Sequence, residues 1–248
     1  MNALLAFQLR RVGRNRQYLL FTILLPAVFT VFFTKIFGGL ATGPAGYQRE
    51  AVQYMVSMMA YGAIGAALGA TIRLSFDRSS GWLRQLRVTP VPQARMFAVD
   101  VAVGALLTLP SLVVVALVGR FVNDVQLGLG SWLALVGVLW AGSIAFVALG
   151  LLIGLSLEER AAGGAMGSVG VVLALLGGLM APVEVFPESM RTLAHTMPSY
   201  WYAELGRDVA AGSAPSGAAV LAIAAFTAAF GALAVLVARH RPLHAVSG

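Results

Sequence analysis

The sequence predicts an all-α membrane protein with six transmembrane helices. It also predicts an N-terminal amphipathic interfacial helix, a short inner helix between the second and third spans, and two short re-entrant outer half-helices before the last span. Three observations carry that prediction. Hydrophobic residues make up 59% of the 248-residue chain and charged residues only 11%, where a soluble domain carries about a quarter charged. Six long stretches are apolar and almost free of charge. The arginines gather in the short segments between those stretches. A mean hydropathy of +0.84 agrees: the solvent of most of this chain is lipid.

The six stretches run approximately Tyr18–Phe37, Ala51–Ile72, Phe97–Gly119, Trp132–Leu155, Gly163–Met180 and Gly217–Ala238. At about 1.5 Å per residue each crosses a hydrocarbon core roughly 30 Å thick. The first follows Arg10, Arg11, Arg14 and Arg16 as a signal peptide would. Its apolar run is too long for one, and no small-x-small cleavage site follows, so it is read as a span. The whole chain, 1–248, then forms one transmembrane domain with no separable enzyme domain.

Charge sets the orientation. With the N-terminus inside, the inner segments hold twelve of the arginines and lysines and the outer segments five: Lys35, Arg49, Arg120, Arg191 and Arg207. That bias places both termini on the cytoplasmic side; the expected location is the bacterial cytoplasmic membrane, crossed several times. The same distribution excludes nucleic acid as the partner implied by a pI near 10.5. The chain has no cysteine, so disulfides and thiolate metal sites are absent.

The charge inventory also limits function. Ion-coupled carriers keep ionisable groups deep in the membrane, where burial is costly and function retains them. Here Lys35 sits at an outer edge and Asp100 near an inner one, within reach of interfacial water. A phosphate-binding loop needs a glycine-rich turn followed by Gly-Lys-Ser/Thr, and the one lysine stands in Thr34-Lys35-Ile36. His195, His240 and His244 all fall outside the spans, so no intramembrane catalytic constellation forms. The chain by itself is not an enzyme and binds no cofactor or metal.

Several segments are more elaborate than connections require. In Asn2–Gln17, Leu5, Leu9 and Val12 recur at helical spacing with Arg10 and Arg14 on another side, which predicts an amphipathic helix on the inner leaflet. Between the second and third spans, Ser79 or Ser80 caps a short helix and Pro90 stops it. Trp82, Leu83 and Leu86 form its apolar face beside Arg84 and Arg87, a surface suited to a soluble partner. After the fifth span come Pro182, Glu184 and Pro187. Two amphipathic stretches follow, Met190, Leu193, Ala194 and Met197 in one, and Pro198, Trp201, Tyr202, Leu205 and Val209 in the other. They predict proline-delimited half-helices dipping into the outer leaflet, with Glu184, Glu188, Glu204 and Asp208 as a solvated rim. The glycine pairs Gly65/Gly69, Gly150/Gly154 and Gly163/Gly167 are expected to bring helix backbones together.

These segments, in this order around six spans, resemble the type-two ABC transporter permeases, exporters of drugs, lipids and polysaccharides. The resemblance covers essentially the whole chain. The inner stretch keeps the family's glycine at Gly81, its leucines and Thr89-Pro90, with Asp77-Arg78-Ser79-Ser80 where acidic residues are commoner. It implies that 2–17 is a connector helix and that Ser79, Gly81, Trp82, Leu83, Arg84, Leu86, Arg87 and Pro90 form a coupling helix seated on a separate ATP-binding subunit, present in two copies and holding the ATP and magnesium. It further implies a second permease copy or a paralogue, with Met55, Met58, Met59, Tyr61, Met166 and Met180 as candidate path residues. Ordinary span packing is the alternative for any one of them. Pro182, Glu184, Pro187, Pro198 and Trp201 are the candidate outer gate. The expected activity is outward export of a hydrophobic or amphipathic drug, antibiotic or lipid. An ion-coupled carrier and a non-transporting scaffold subunit are the rivals.

Overall fold

The computed structural model describes residues 20–79 and 93–240. Leu5, Leu9, Arg10, Val12 and Arg14 of the N-terminal segment lie outside the described residues, as do Gly81, Trp82, Leu83, Arg84, Leu86, Arg87 and Pro90. Ser79 is the last residue of the helix that leads into that inner segment. Among the described residues every regular element is helical.

A π-turn at Leu20–Leu24 opens into α1 (Leu25–Leu40), and α2 (Gly43–Ser79) returns beside it. Then follow α3 (Gln93–Val122), α4 (Leu129–Gly142), α5 (Ile144–Ser156) and α6 (Glu159–Leu176). A single 3-10 turn at Val183–Val185 precedes two short helices, α7 (Glu188–His195) and α8 (Pro198–Ala210), and α9 (Gly217–His240) closes the described chain. Among the described residues, five helical stretches are long and apolar enough to cross a membrane: Thr22–Leu40, Gly43–Thr71, Ala98–Val122, Leu129–Ser156 and Gly217–Ala238. The apolar part of α6, Ala161–Leu176, is shorter.

The central helix is α2. Its apolar stretch is 78% buried, against 11% for α9 at the periphery, and it touches α1, α3, α5, α6 and α8. Lipid is as apolar as leucine, so close packing and hydrogen bonds, rather than escape from water, hold such a bundle together. At one junction Pro26 has no N–H to offer the Thr22 carbonyl four residues back, and Ser111 of α3 donates to that carbonyl at 2.7 Å. Further out, the Asn123 amide donates to the Thr30 carbonyl at 3.2 Å, pinning the end of α3 to α1. Gln48 of α2 accepts from the Gln126 N–H at 3.2 Å and donates to the Asp124 carbonyl at 2.7 Å, fixing the turn into α4.

Two features depart from simple spans. The stretch read as Trp132–Leu155 is interrupted at Ser143, whose hydroxyl donates to the Trp140 carbonyl at 2.7 Å, a back-bond of the kind that bends helices. The stretch read as Gly163–Met180 is helical only to Leu176. There Gly178 adopts a left-handed conformation (φ 71°), the Leu179 N–H turns back to Ala174 O at 3.0 Å and the Gly178 N–H to Leu175 O at 3.4 Å. This glycine stop satisfies the last carbonyls and ends the helix. Of the glycine pairs, Gly150 meets Thr71 and the Leu68 backbone, whereas Gly167 has open space where a Cβ would stand.

Candidate outer gate and path

The early end of α6 creates the geometry of interest. Ser199, near the start of α8, donates to Leu173 O at 2.6 Å. One turn later the Tyr202 hydroxyl donates to Leu139 O, also at 2.6 Å. Leu139 lies about 15 Å along α4 from its start at Leu129, at 1.5 Å per residue. α8 therefore begins level with the end of α6 and runs antiparallel to α4, back toward the level of its start at Leu129. Gly206, a turn beyond Tyr202, sits where a Cβ would be 2.7 Å from Val56 and 3.1 Å from Leu139. Gly142 likewise lets the Tyr202 ring approach, and Gly177 lets Ser199 approach. Three glycines thus seat α8 against α2, α4 and α6.

The two amphipathic stretches differ in what they meet. In α8, Tyr202, Leu205 and Val209 are buried, whereas Met190 and Leu193 of α7 are exposed. The hairpin is tied across its own turns. Arg191 donates to the carbonyls of Glu184 at 3.0 Å and Phe186 at 3.4 Å, and the Trp201 indole donates to His195 O at 2.7 Å. Arg207 pairs with Glu204 at 2.9 Å and reaches Gly178 O at 3.5 Å, joining α8 to the α6 stop. Asp208 caps the turn after α8: its carboxylate accepts the Ser216 N–H at 2.7 Å, and its carbonyl accepts the Ser213 hydroxyl at 2.7 Å.

The structure gathers all five candidate gate residues around this hairpin. Pro182 starts the 3-10 turn that contains Glu184, Pro187 precedes α7, Pro198 is the first residue of α8, and Trp201 is half-buried. The candidate path residues separate. Met55, Met58 and Met59 are 0% exposed within one chain, and Met55 occupies the space left by Gly119. Met166 is buried as well, while Tyr61 and Met180 are half-buried. Small residues also stand at half-buried or exposed positions: Gly65, Gly69 and Ala70 on α2, and the exposed Gly164, Gly167 and Ser168 on α6. An inventory restricted to charge passed over Thr108 and Ser143, uncharged polar groups fully buried in the bundle; their only signal was a hydroxyl inside an apolar run.

Comparison with known proteins settles the family. Residues 1–210 match the family described as ABC-2 type transporter, from the N-terminal segment through the last residue of α8. The chain belongs to the ABC-2 type transporters. A relative from Bacillus subtilis (strain 168), named "Putative transport permease YvfS", is 28% identical over 226 residues, covering 90% of each chain. This ABC-2 protein is thus a multi-pass membrane permease whose family works with an ATP-binding subunit. The match ends before α9, which packs on α5 and α8 from the periphery.

Proposed function

We propose that this chain is the membrane-spanning subunit of an ATP-binding-cassette exporter. It moves a hydrophobic or amphipathic substrate (a drug, antibiotic or lipid) outward, driven by ATP hydrolysis in two copies of a separate subunit that carries the nucleotide and magnesium. A second permease copy or a paralogue completes the path. The observation that carries this reading is the family match over 1–210 on a chain whose spans hold no charge near their centres. A bundle without an ion-coupling group needs work delivered from outside itself.

On this reading α6 is the fifth of six spans in the bacterial cytoplasmic membrane, and both termini are cytoplasmic. It ends partway, and the α7–α8 hairpin re-enters the outer leaflet to complete the crossing. The coupling helix expected at Ser79–Val88 receives the partner's closure on ATP, and α2 and α3, which flank it, carry the movement outward. Because Met55, Met58 and Met59 are enclosed by their own chain, the half-buried Tyr61 and Gly65 of α2 and the exposed Gly164 and Ser168 of α6 are better placed to line the path. Its lack of charge suits an apolar or amphipathic cargo rather than a sugar chain.

The test is flux of a fluorescent phospholipid and of a hydrophobic dye in inside-out vesicles that hold this chain with its ATP-binding partner. ATP-dependent movement that stops with a hydrolysis-dead partner and persists under an uncoupler supports the proposal. Movement that collapses with the uncoupler while ATP is held constant favours an ion-coupled carrier.

A further inference from the structure

The inner segment 80–92 joins α2 to α3, so a displacement delivered there reaches α3 directly. α3 in turn holds the Ser143 interruption through polar contacts. The Trp140 indole donates to Ala105 O at 2.9 Å, and the Thr108 and Ser143 hydroxyls lie 3.2 Å apart. In the turn just before that interruption the Tyr202 hydroxyl donates to Leu139 O at 2.6 Å, and its ring stands 5.0 Å from Phe146. Thr108, Ser143 and Tyr202 are each 0% exposed.

Buried hydrogen bonds in apolar surroundings keep their direction, whereas the methyl contact of Val56 on α8 can slide. The interruption is also where the α4–α5 rod can change its bend. We propose that Tyr202 is a positioning residue of the transport cycle: it fastens α8 to the Ser143 interruption, so that a movement of α3 is delivered to the outer hairpin. The inference rests on the ATP-driven reading above. Its chain of contact runs from Ala105 and Thr108 through Trp140 and Ser143 to Leu139 and Tyr202.

The absence of native cysteine in this chain permits site-specific spin labelling of introduced cysteines before assembly with its ATP-binding partner in nanodiscs. An inner pair of labels at Ala98 and Leu157 and an outer pair at Thr42 and Ala211 use exposed sites. ATP with vanadate is expected to shift both distance distributions in the native chain. In Tyr202→Phe, which keeps the ring and removes the donor, the inner shift is expected to remain and the outer shift to be lost. Thr108→Val with Ser143→Ala, which leaves α8 untouched, is expected to do the same and serves if the first variant fails to fold. An outer shift of native size in either variant overturns the inference. An inner pair that ignores nucleotide in the native chain overturns the ATP-driven reading beneath it.

Discussion

Gly206→Ala is the sharpest test of how α8 is seated. The added Cβ would stand 2.7 Å from Val56 Cγ1, 3.1 Å from Leu139 Cδ2 and 3.3 Å from Leu135 Cδ1. Val56 is 0% exposed and β-branched on the central helix, so its methyl cannot swing away cheaply. Overpacking of this kind costs about 1–3 kcal/mol, while replacing glycine by alanine inside a helix returns up to about 1 kcal/mol. With the full return, the net expectation is a loss of up to about 2 kcal/mol. Gly137→Ala on neighbouring α4 is the control, because nothing lies within 4 Å of its Cβ position; it is expected to be neutral or stabilising. Val56→Ala should relieve the Gly206 variant, so that the double variant loses less than the two singles summed, by about 0.5–3 kcal/mol of coupling. Reversible unfolding in mixed micelles, followed by tryptophan fluorescence, reads all four chains. A Gly206→Ala chain as stable as Gly137→Ala, or one that Val56→Ala does not help, would show that α8 does not pack as described.

Two further changes probe the hairpin. Gly178→Val places a β-branched residue at φ 71° against Val183; the left-handed backbone alone costs about 1–2 kcal/mol. Faster exchange of the Leu179 amide, which bonds back to Ala174 O, is the expected sign, and unchanged exchange would refute the glycine stop. Asp208→Ala removes the acceptor of the Ser216 N–H and is expected to lower stability by about 1 kcal/mol and to open residues 212–216 to proteolysis. Asp208→Asn keeps an acceptor and should resist cleavage. Equal cleavage of Asp208→Ala and the native chain would restore Asp208 to the solvated rim.

Much of the fold was legible because lipid leaves a chain few options. Each backbone polar group must be satisfied within the segment, so a charge-free apolar run of span length becomes a helix. The hairpin showed itself through Pro182, Pro187 and Pro198, which punctuate a region whose apolar residues recur at helical spacing. What the spacing hid was which stripe faces protein: Tyr202, Leu205 and Val209 enter the bundle while Met190 and Leu193 do not. The end of α6 was hidden because Gly177 and Gly178 read as small residues in an apolar run, and only the backbone shows one of them left-handed. Likewise the methionines of α2 looked adaptable and path-like, yet their faces are closed by α3 and its neighbours. Spacing placed Tyr202 on the apolar stripe of its helix but could not show what its hydroxyl meets, since the partner is a main-chain carbonyl on a helix 63 residues away.

The central claim is that a separate ATP-binding subunit works this chain from the inner side. Purification of the tagged chain from membranes that also contain that subunit tests it most directly, with Trp82→Ala plus Leu86→Ala as the comparison. The account predicts that the subunit co-purifies with the native chain, bringing vanadate-sensitive ATP hydrolysis. It also predicts that the double variant loses the subunit while its own unfolding is unchanged. A double variant that retains the subunit and its hydrolysis would contradict the coupling assignment, and a native chain that moves solute uphill with no such subunit present would contradict the account itself.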